Sequence, residues 1–333
     1  MTGPTIWADT IPKKVPRIDA CSRTPHNSRI PHKFIKQEVN LQQQYSSTMM
    51  PTADATSLSN DKDCKSILSA MLKQEVHYLS AHHLQITKKR SKNDGSSSCV
   101  VDVSCREQVC KWIFHIIDRT GMERETAIIA MNFLDRFMST SGPAAKIARC
   151  NRRQYQLVAL TCLYIAVKIT ESSVLDTDTI SDLSKGAHSA EAIIACERHI
   201  LASLQWRLNG PTPFQFVDYM LGLLPDDTSS VAPNICDVAR SQVEIAVQDY
   251  ACVPLHRSTI AIAAILNSLE DASQDGSIFP SEKRIQFEQK VSDVVGYDIA
   301  ESQMIKVCRK RLLDRAAPYA TRPKSPVSSS NRV

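Results

Sequence analysis

Apolar residues recur at three- and four-residue spacing over most of residues 104–315, and the pattern breaks near its middle at Asn209-Gly210-Pro211. Spacing of that kind dictates amphipathic helices rather than strands. Ser104 and Glu107 read as a capping box that opens a helix carrying Val109, Trp112, Ile113, Ile116 and Ile117, stopped by Gly121. The next helix carries Ile128, Met131, Leu134, Phe137 and Met138 and ends at Ser141-Gly142-Pro143. Asn151 and Gln154 start a third, with Leu157, Leu160, Tyr164 and Val167 on its apolar face; Ala159 and Ala166 let neighbours approach closely. A short fourth is expected around 179–185, and a fifth, capped by Ser189, runs to the Asn-Gly-Pro break. Thr212-Pro213 then reads as an N-cap with a first-turn proline. It restarts the series, with helical patterns at about 213–223, 234–250, 256–270, 281–294 and 299–315. Two five-helix units in tandem are the expected architecture, all-α. A further short helix near 62–80, with Ile67, Leu68, Met71, Leu72 and Leu79, precedes them across a polar, Ser-rich insert from Lys88 to Ser98.

Composition agrees with that reading. The 333 residues suit about two domains at ~150 residues each, and 43% hydrophobic residues are enough for a sizeable core. Only 9 residues are Gly, which disfavours Gly-rich cofactor folds. Residues 1–60 and 317–333 are rich in Pro, Ser and Thr without an apolar period and are expected to be disordered tails. The 11 Cys form no C-x-x-C, and Cys105, Cys110, Cys162, Cys196 and Cys308 fall in helical patterns, as small core residues do. With no apolar run of ~18 residues and no signal peptide, a reduced cytosolic or nuclear compartment is expected and no membrane. A net charge of +5 is too mild to demand nucleic acid. There is no P-loop, G-x-S-x-G or H-E-x-x-H, and His82-His83 reads as a solvated helix end. An enzyme, a cofactor and a metal site are therefore not expected.

Two charges stand against apolar stripes. Lys168 closes the third helix, and Glu197 sits within the apolar run 193–204 of the fifth. An unpaired charge buried there would cost several kcal/mol. Taken by themselves they read as a lysine favoured by a helix C-terminal dipole and an unrelated glutamate. Opposite charges on neighbouring helices also suit a binding surface.

Several segments resemble the cyclin family. Cys-Arg-Glu-Gln-Val-Cys-Lys-Trp (105–112) is similar to the family's Met-Arg-Ala-Ile-Leu-Val-Asp-Trp. Ala-Met-Asn-Phe-Leu-Asp-Arg-Phe-Met-Ser (130–139) is close to its Val-Asn-Tyr-Leu-Asp-Arg-Phe-Leu-Ser. Leu157, Lys168, Glu197 and the linker Leu-Asn-Gly-Pro-Thr-Pro-Phe-Gln-Phe (208–216) match in order. Leu72, Lys73, Glu75, Tyr78 and Leu79 resemble the start of D-type members, but the Leu-x-Cys-x-Glu motif of many of them is absent, so the subtype stays open. The resemblance implies a cyclin box over about 63–217 and a looser second cyclin fold over about 218–316. It implies a non-catalytic regulatory subunit that binds and activates a cyclin-dependent Ser/Thr kinase in the cell cycle. Lys168 and Glu197 would clamp main-chain groups beside the kinase's αC-helix, an ammonium supplying donors and a carboxylate acceptors. Arg106 and Asp135, with Leu157, would hold the box together. Trp112, Gln156, Arg136, Val109 and Gln108 would line a groove for Arg-x-Leu peptides of substrates or inhibitors, smaller and more polar than usual because Cys105, Gln108 and Val109 replace larger apolar residues.

Lys88-Lys89-Arg90-Ser91-Lys92 resembles a nuclear import signal, and the expected location is nucleus and cytoplasm. Ser325-Pro326 and Thr24-Pro25 are minimal proline-directed phosphorylation sites. The competing reading is a cyclin-fold transcription factor or scaffold that binds DNA or other proteins without a kinase. The initiation-factor version of that fold would carry a zinc ribbon with paired C-x-x-C motifs, which this sequence lacks.

Overall fold

The computed structural model describes residues 61–84, 100–172, 175–225, 228, 231–274 and 279–320. The import-like cluster, the two proline-directed sites and residues 1–60 and 321–333 lie outside them. Among the described residues the chain is all-helical, with no strand. The helices are α1 (Asp61–Glu75), α2 (Val103–Thr120), α3 (Arg124–Ser139), α4 (Pro143–Cys150), α5 (Arg152–Thr170), α6 (Thr177–Leu183) and α7 (Ala190–Ser203), then α8 (Pro213–Leu221), α9 (Ala232–Gln248), α10 (Arg257–Gln274), α11 (Ser281–Val295) and α12 (Gln303–Ala320). Short 3₁₀ turns follow α1 at Val76–Tyr78 and α9 at Tyr250–Cys252.

Local signals set many of the helix ends. Asn151 accepts from the Arg153 and Gln154 amides, Ser189 from Ala192, and Thr212 with Gln215 forms a complete capping box ahead of Pro213. Gly121 closes α2 at φ 69°, the left-handed region that glycine enters without steric cost. Four boundaries differ from expectation. The cap of α2 is Asp102, whose carboxylate accepts from the Cys105 amide, so Ser104 lies inside the helix. Pro143 does not only end a helix; it occupies the first turn of α4, a helix the apolar spacing did not disclose. Helix α7 stops at Ser203, before Asn-Gly-Pro, through Gln205 and Trp206 at φ 53° and 58°. Helix α12 runs to Ala320, past the expected boundary at residue 316.

Each unit is built around one helix buried on all sides. In α5 every residue from Tyr155 to Val167 is buried, and α3, α4 and α7 pack against it. In α10 every residue from Arg257 to Leu269 is buried, enclosed by α8, α9 and α12. Fully buried Ala159 and Ala166 in the first, and Ala261, Ala263 and Ala264 in the second, let neighbouring helices come close. A helix enclosed on all sides is built mostly of small and apolar residues, which is why the two runs look alike. Helix α1, grouped by sequence order with the first unit, packs mainly on α8 and α11 of the second. Lys290 fastens it there, reaching the Asp61 carboxylate at 2.7 Å and the Leu223 carbonyl at 3.1 Å.

Candidate protein-docking surface

The last turn of α5 presents Lys168, and the middle of α7 presents Glu197. Packing of α7 on α5 brings the Lys168 ammonium to 2.6 Å from Glu197 Oε1, with the side chains 31% and 13% exposed. The ammonium also lies 4.7 Å from the centre of the Tyr164 ring, one turn back on α5, a cation–π contact that holds the long side chain in place. Burial raises the pKa of the Tyr164 hydroxyl; Lys168 opposes that rise and Glu197 adds to it. An ammonium has three donors and a carboxylate about four acceptor sites, so one mutual hydrogen bond leaves both groups able to bind a second molecule. Ile194, one turn before Glu197, is 37% exposed and adds apolar area. An exposed pair of this kind contributes only ~0–1 kcal/mol to folding.

Arg106 on α2 is 1% exposed. Its guanidinium grips Asp135 on α3 through two hydrogen bonds, Nε to Oδ1 at 2.8 Å and Nη2 to Oδ2 at 2.6 Å. Burial alone would lower the Arg106 pKa; the Asp135 carboxylate outweighs it and leaves the pKa above its ordinary value. Arg106 also donates to the Gln248 carbonyl at 3.2 Å and the Val247 carbonyl at 3.0 Å, at the end of α9 in the second unit. The pair therefore does more than join two helices: it satisfies the carbonyl end of a third, where cations are favoured. Leu157 is buried in the same core.

Four of the five residues expected to line the peptide groove are buried. Trp112, Val109, Gln156 and Arg136 are all buried, and only Gln108 is half-exposed, bonded to Ser104 at 3.3 Å. Arg136 faces the first 3₁₀ turn, stacked 4.8 Å from the Tyr78 ring centre and donating to the Arg207 carbonyl at 2.8 Å. Cys105 and Val109 pack in the core beside Trp112.

Other charged residues have roles that the sequence did not disclose. His83 is not solvated; its side chain is buried 3.8 Å from Asp135 Oδ1, burial lowers its pKa, and its amide and that of Leu84 both donate to the Tyr250 hydroxyl at 2.6 Å. Glu75, at the end of α1, caps α10 across the molecule, accepting from the Ser258 amide at 3.1 Å and hydroxyl at 2.6 Å. In the second unit Glu270 on α10 pairs with Arg309 on α12. A charged residue inside an apolar stripe is the only sequence signal for these, and it does not name a partner. Among the described residues no cluster of His, Cys, Asp or Glu is arranged to hold a metal ion, and no helix is long and apolar enough to cross a membrane.

The arrangement is a tandem helical scaffold with an accessible charge pair on its first unit. The solved structure of a viral cyclin from herpesvirus saimiri has the same fold: TM-score 0.51 at 16% identity, over 66% of this chain and 89% of that one. Residues 66–209 match the model of the cyclin N-terminal domain, and this part of the chain is a cyclin box. The chain is 31% identical to cyclin-D3-2 of Arabidopsis thaliana over 140 residues, 41% of this chain and 37% of that protein. It is 23% identical to G1/S-specific cyclin-D1 of Mus musculus over 216 residues, 65% of this chain and 66% of that protein. A G2/mitotic-specific cyclin, S13-7 of Glycine max, matches at 27% over 155 residues, 46% of this chain and 55% of that protein. The matches thus span less than two thirds of these relatives' lengths, and they include both D-type and mitotic members.

Proposed function

We propose that this chain is a regulatory subunit that binds and activates a cyclin-dependent Ser/Thr kinase in the cell cycle and does no chemistry itself. The observation that carries this reading is the Lys168–Glu197 pair: opposite charges 2.6 Å apart at the surface of the matched domain, with donors and acceptors to spare and Ile194 beside them. A kinase becomes active when its αC glutamate and activation loop are in place. A partner that contacts αC through main-chain groups shifts that equilibrium by its differential affinity. Moving a kinase from mostly inactive to mostly active takes ~5 kcal/mol, within reach of an interface of a few thousand Å². The Lys88–Lys92 cluster supports a nuclear as well as a cytoplasmic location.

The test is co-purification with candidate cyclin-dependent kinases, comparing wild type with Lys168→Ala/Glu197→Ala for co-elution and for phosphorylation of histone or Rb-like substrates. Loss of both with the fold intact is the expected result; equal kinase binding by the double variant removes the clamp. Tight duplex DNA binding with a steep salt dependence would replace the kinase reading by the transcription-factor one.

A further inference from the structure

The seam between the two units holds positive charge that its own carboxylates do not fully balance. Arg106 and Asp135 neutralise one another. Arg136 is answered by the Tyr78 ring and a carbonyl. Arg257, the first residue of α10, is 8% exposed. Its Nη2 donates to the Tyr78 carbonyl at 2.7 Å, but its Nη1 is buried with no hydrogen-bond partner among the described residues. Glu75 supplies negative charge nearby, yet its oxygens are spent on the Ser258 amide and hydroxyl and on His256 at 3.3 Å. Burial pulls the Arg257 pKa down to about 10, with Glu75 holding it up and Arg136 pushing it lower. The guanidinium is therefore still a cation at neutral pH.

Arg257 lines two cavities that share Ile128, Asn132 and Pro213 as walls, one of about 70 Å³ and one of about 20 Å³. The larger also borders Ser80, whose hydroxyl and the Asn132 amide are further donors. A buried donor left without a partner costs ~1–3 kcal/mol, and more when charged. The larger space exceeds the ~10–15 Å³ that one water needs. Its one acidic wall residue, Asp135, is held by Arg106. A tetrahedral oxyanion would need more donors than one guanidinium nitrogen, one amide and one hydroxyl. We propose that the cavity at Arg257 binds a small inorganic monoanion of halide size, which ties the first 3₁₀ turn and α3 of the first unit to α10 of the second.

The experiment uses the full chain, melted in sodium chloride, sodium bromide and sodium gluconate at equal ionic strength, with bromide located by anomalous diffraction from crystals grown in that salt. The expected result is a melting temperature higher by about 2–4 °C in halide than in gluconate and a bromide peak beside Arg257. Arg257→Gln should lose that difference; if it does not fold, Asn132→Leu is measured in its place and should reduce it. Equal melting of the wild type in all three salts, or water alone beside Arg257, overturns the proposal.

Discussion

In the first unit the central helix α5 ends its buried run at Val167, and the next residue, Lys168, reaches Glu197 on α7. In the second unit α10 ends its buried run at Leu269, and the next residue, Glu270, reaches Arg309 on α12. The frame is the same and the signs are reversed. The surroundings differ as well. Arg309 also donates to Asn267 Oδ1 at 2.9 Å, while Asn267 Nδ2 donates to Gln242 at 2.8 Å and to the Arg309 carbonyl at 3.1 Å, deep in the core. Lys168 and Glu197 touch each other and Tyr164 and stay at the surface. Exposure does not separate the two pairs, since Glu270 is 47% and Lys168 31% exposed; what differs is that Arg309 also holds the buried Asn267. A duplicated scaffold can therefore give the same position opposite charges and different neighbours on its two halves, because a few residues around it decide what each cation must also hold.

The sharpest way to break this comparison is to remove what both units share. Arg106→Ala should cost about 3–5 kcal/mol, since it leaves Asp135 buried and unpaired. Because Arg106 also holds the end of α9, urea denaturation should show both units melting together at a lower midpoint; a loss confined to the first unit would separate them. Next is the joint itself. A methyl group at Gly210 would lie 2.4 Å from the Tyr78 ring, so Gly210→Ala should destabilise by about 1–3 kcal/mol through overpacking, read as a shift of the same midpoint. Arg309→Ala should cost about 1–2 kcal/mol by stranding Asn267 and leave kinase co-elution unchanged. Smallest in stability is the exchange Lys168→Glu/Glu197→Lys, which keeps the ion pair and should stay within about 1 kcal/mol of wild type. It gives the first unit the polarity of the second, and kinase co-elution should be lost. Retained co-elution would mean that the charge pattern distinguishes the units without being the clamp.

The helices were legible because their causes are local. Asn151, Ser189 and Thr212 cap where the sequence places caps, and the spacing of Leu157, Leu160, Tyr164 and Val167 marks α5. The misreadings have local causes: Asp102 caps the Cys105 amide and starts the helix ahead of Ser104, and Pro143 serves as a helix start as readily as a stop. Lys168 and Glu197 were visible as charges against apolar stripes, and their meeting needed only that α5 and α7 be neighbours. The burial of Trp112 and Val109 was not legible, because residue type does not report exposure.

By itself the sequence determined the all-helical class and the tandem series of helices, since periodicity, caps and breaks act within a few residues. Only the tertiary structure decided that α1 crosses to the second unit, that Glu75 caps α10 from 183 residues away, and that Arg106 holds carbonyls 141 and 142 residues distant. It also decided that Glu270 meets Arg309 on α12 while Lys168 meets Glu197 on α7. Those outcomes depend on which surfaces meet when separate helices bury their apolar faces together, and a buried charge needs a partner without its own sequence saying where that partner lies.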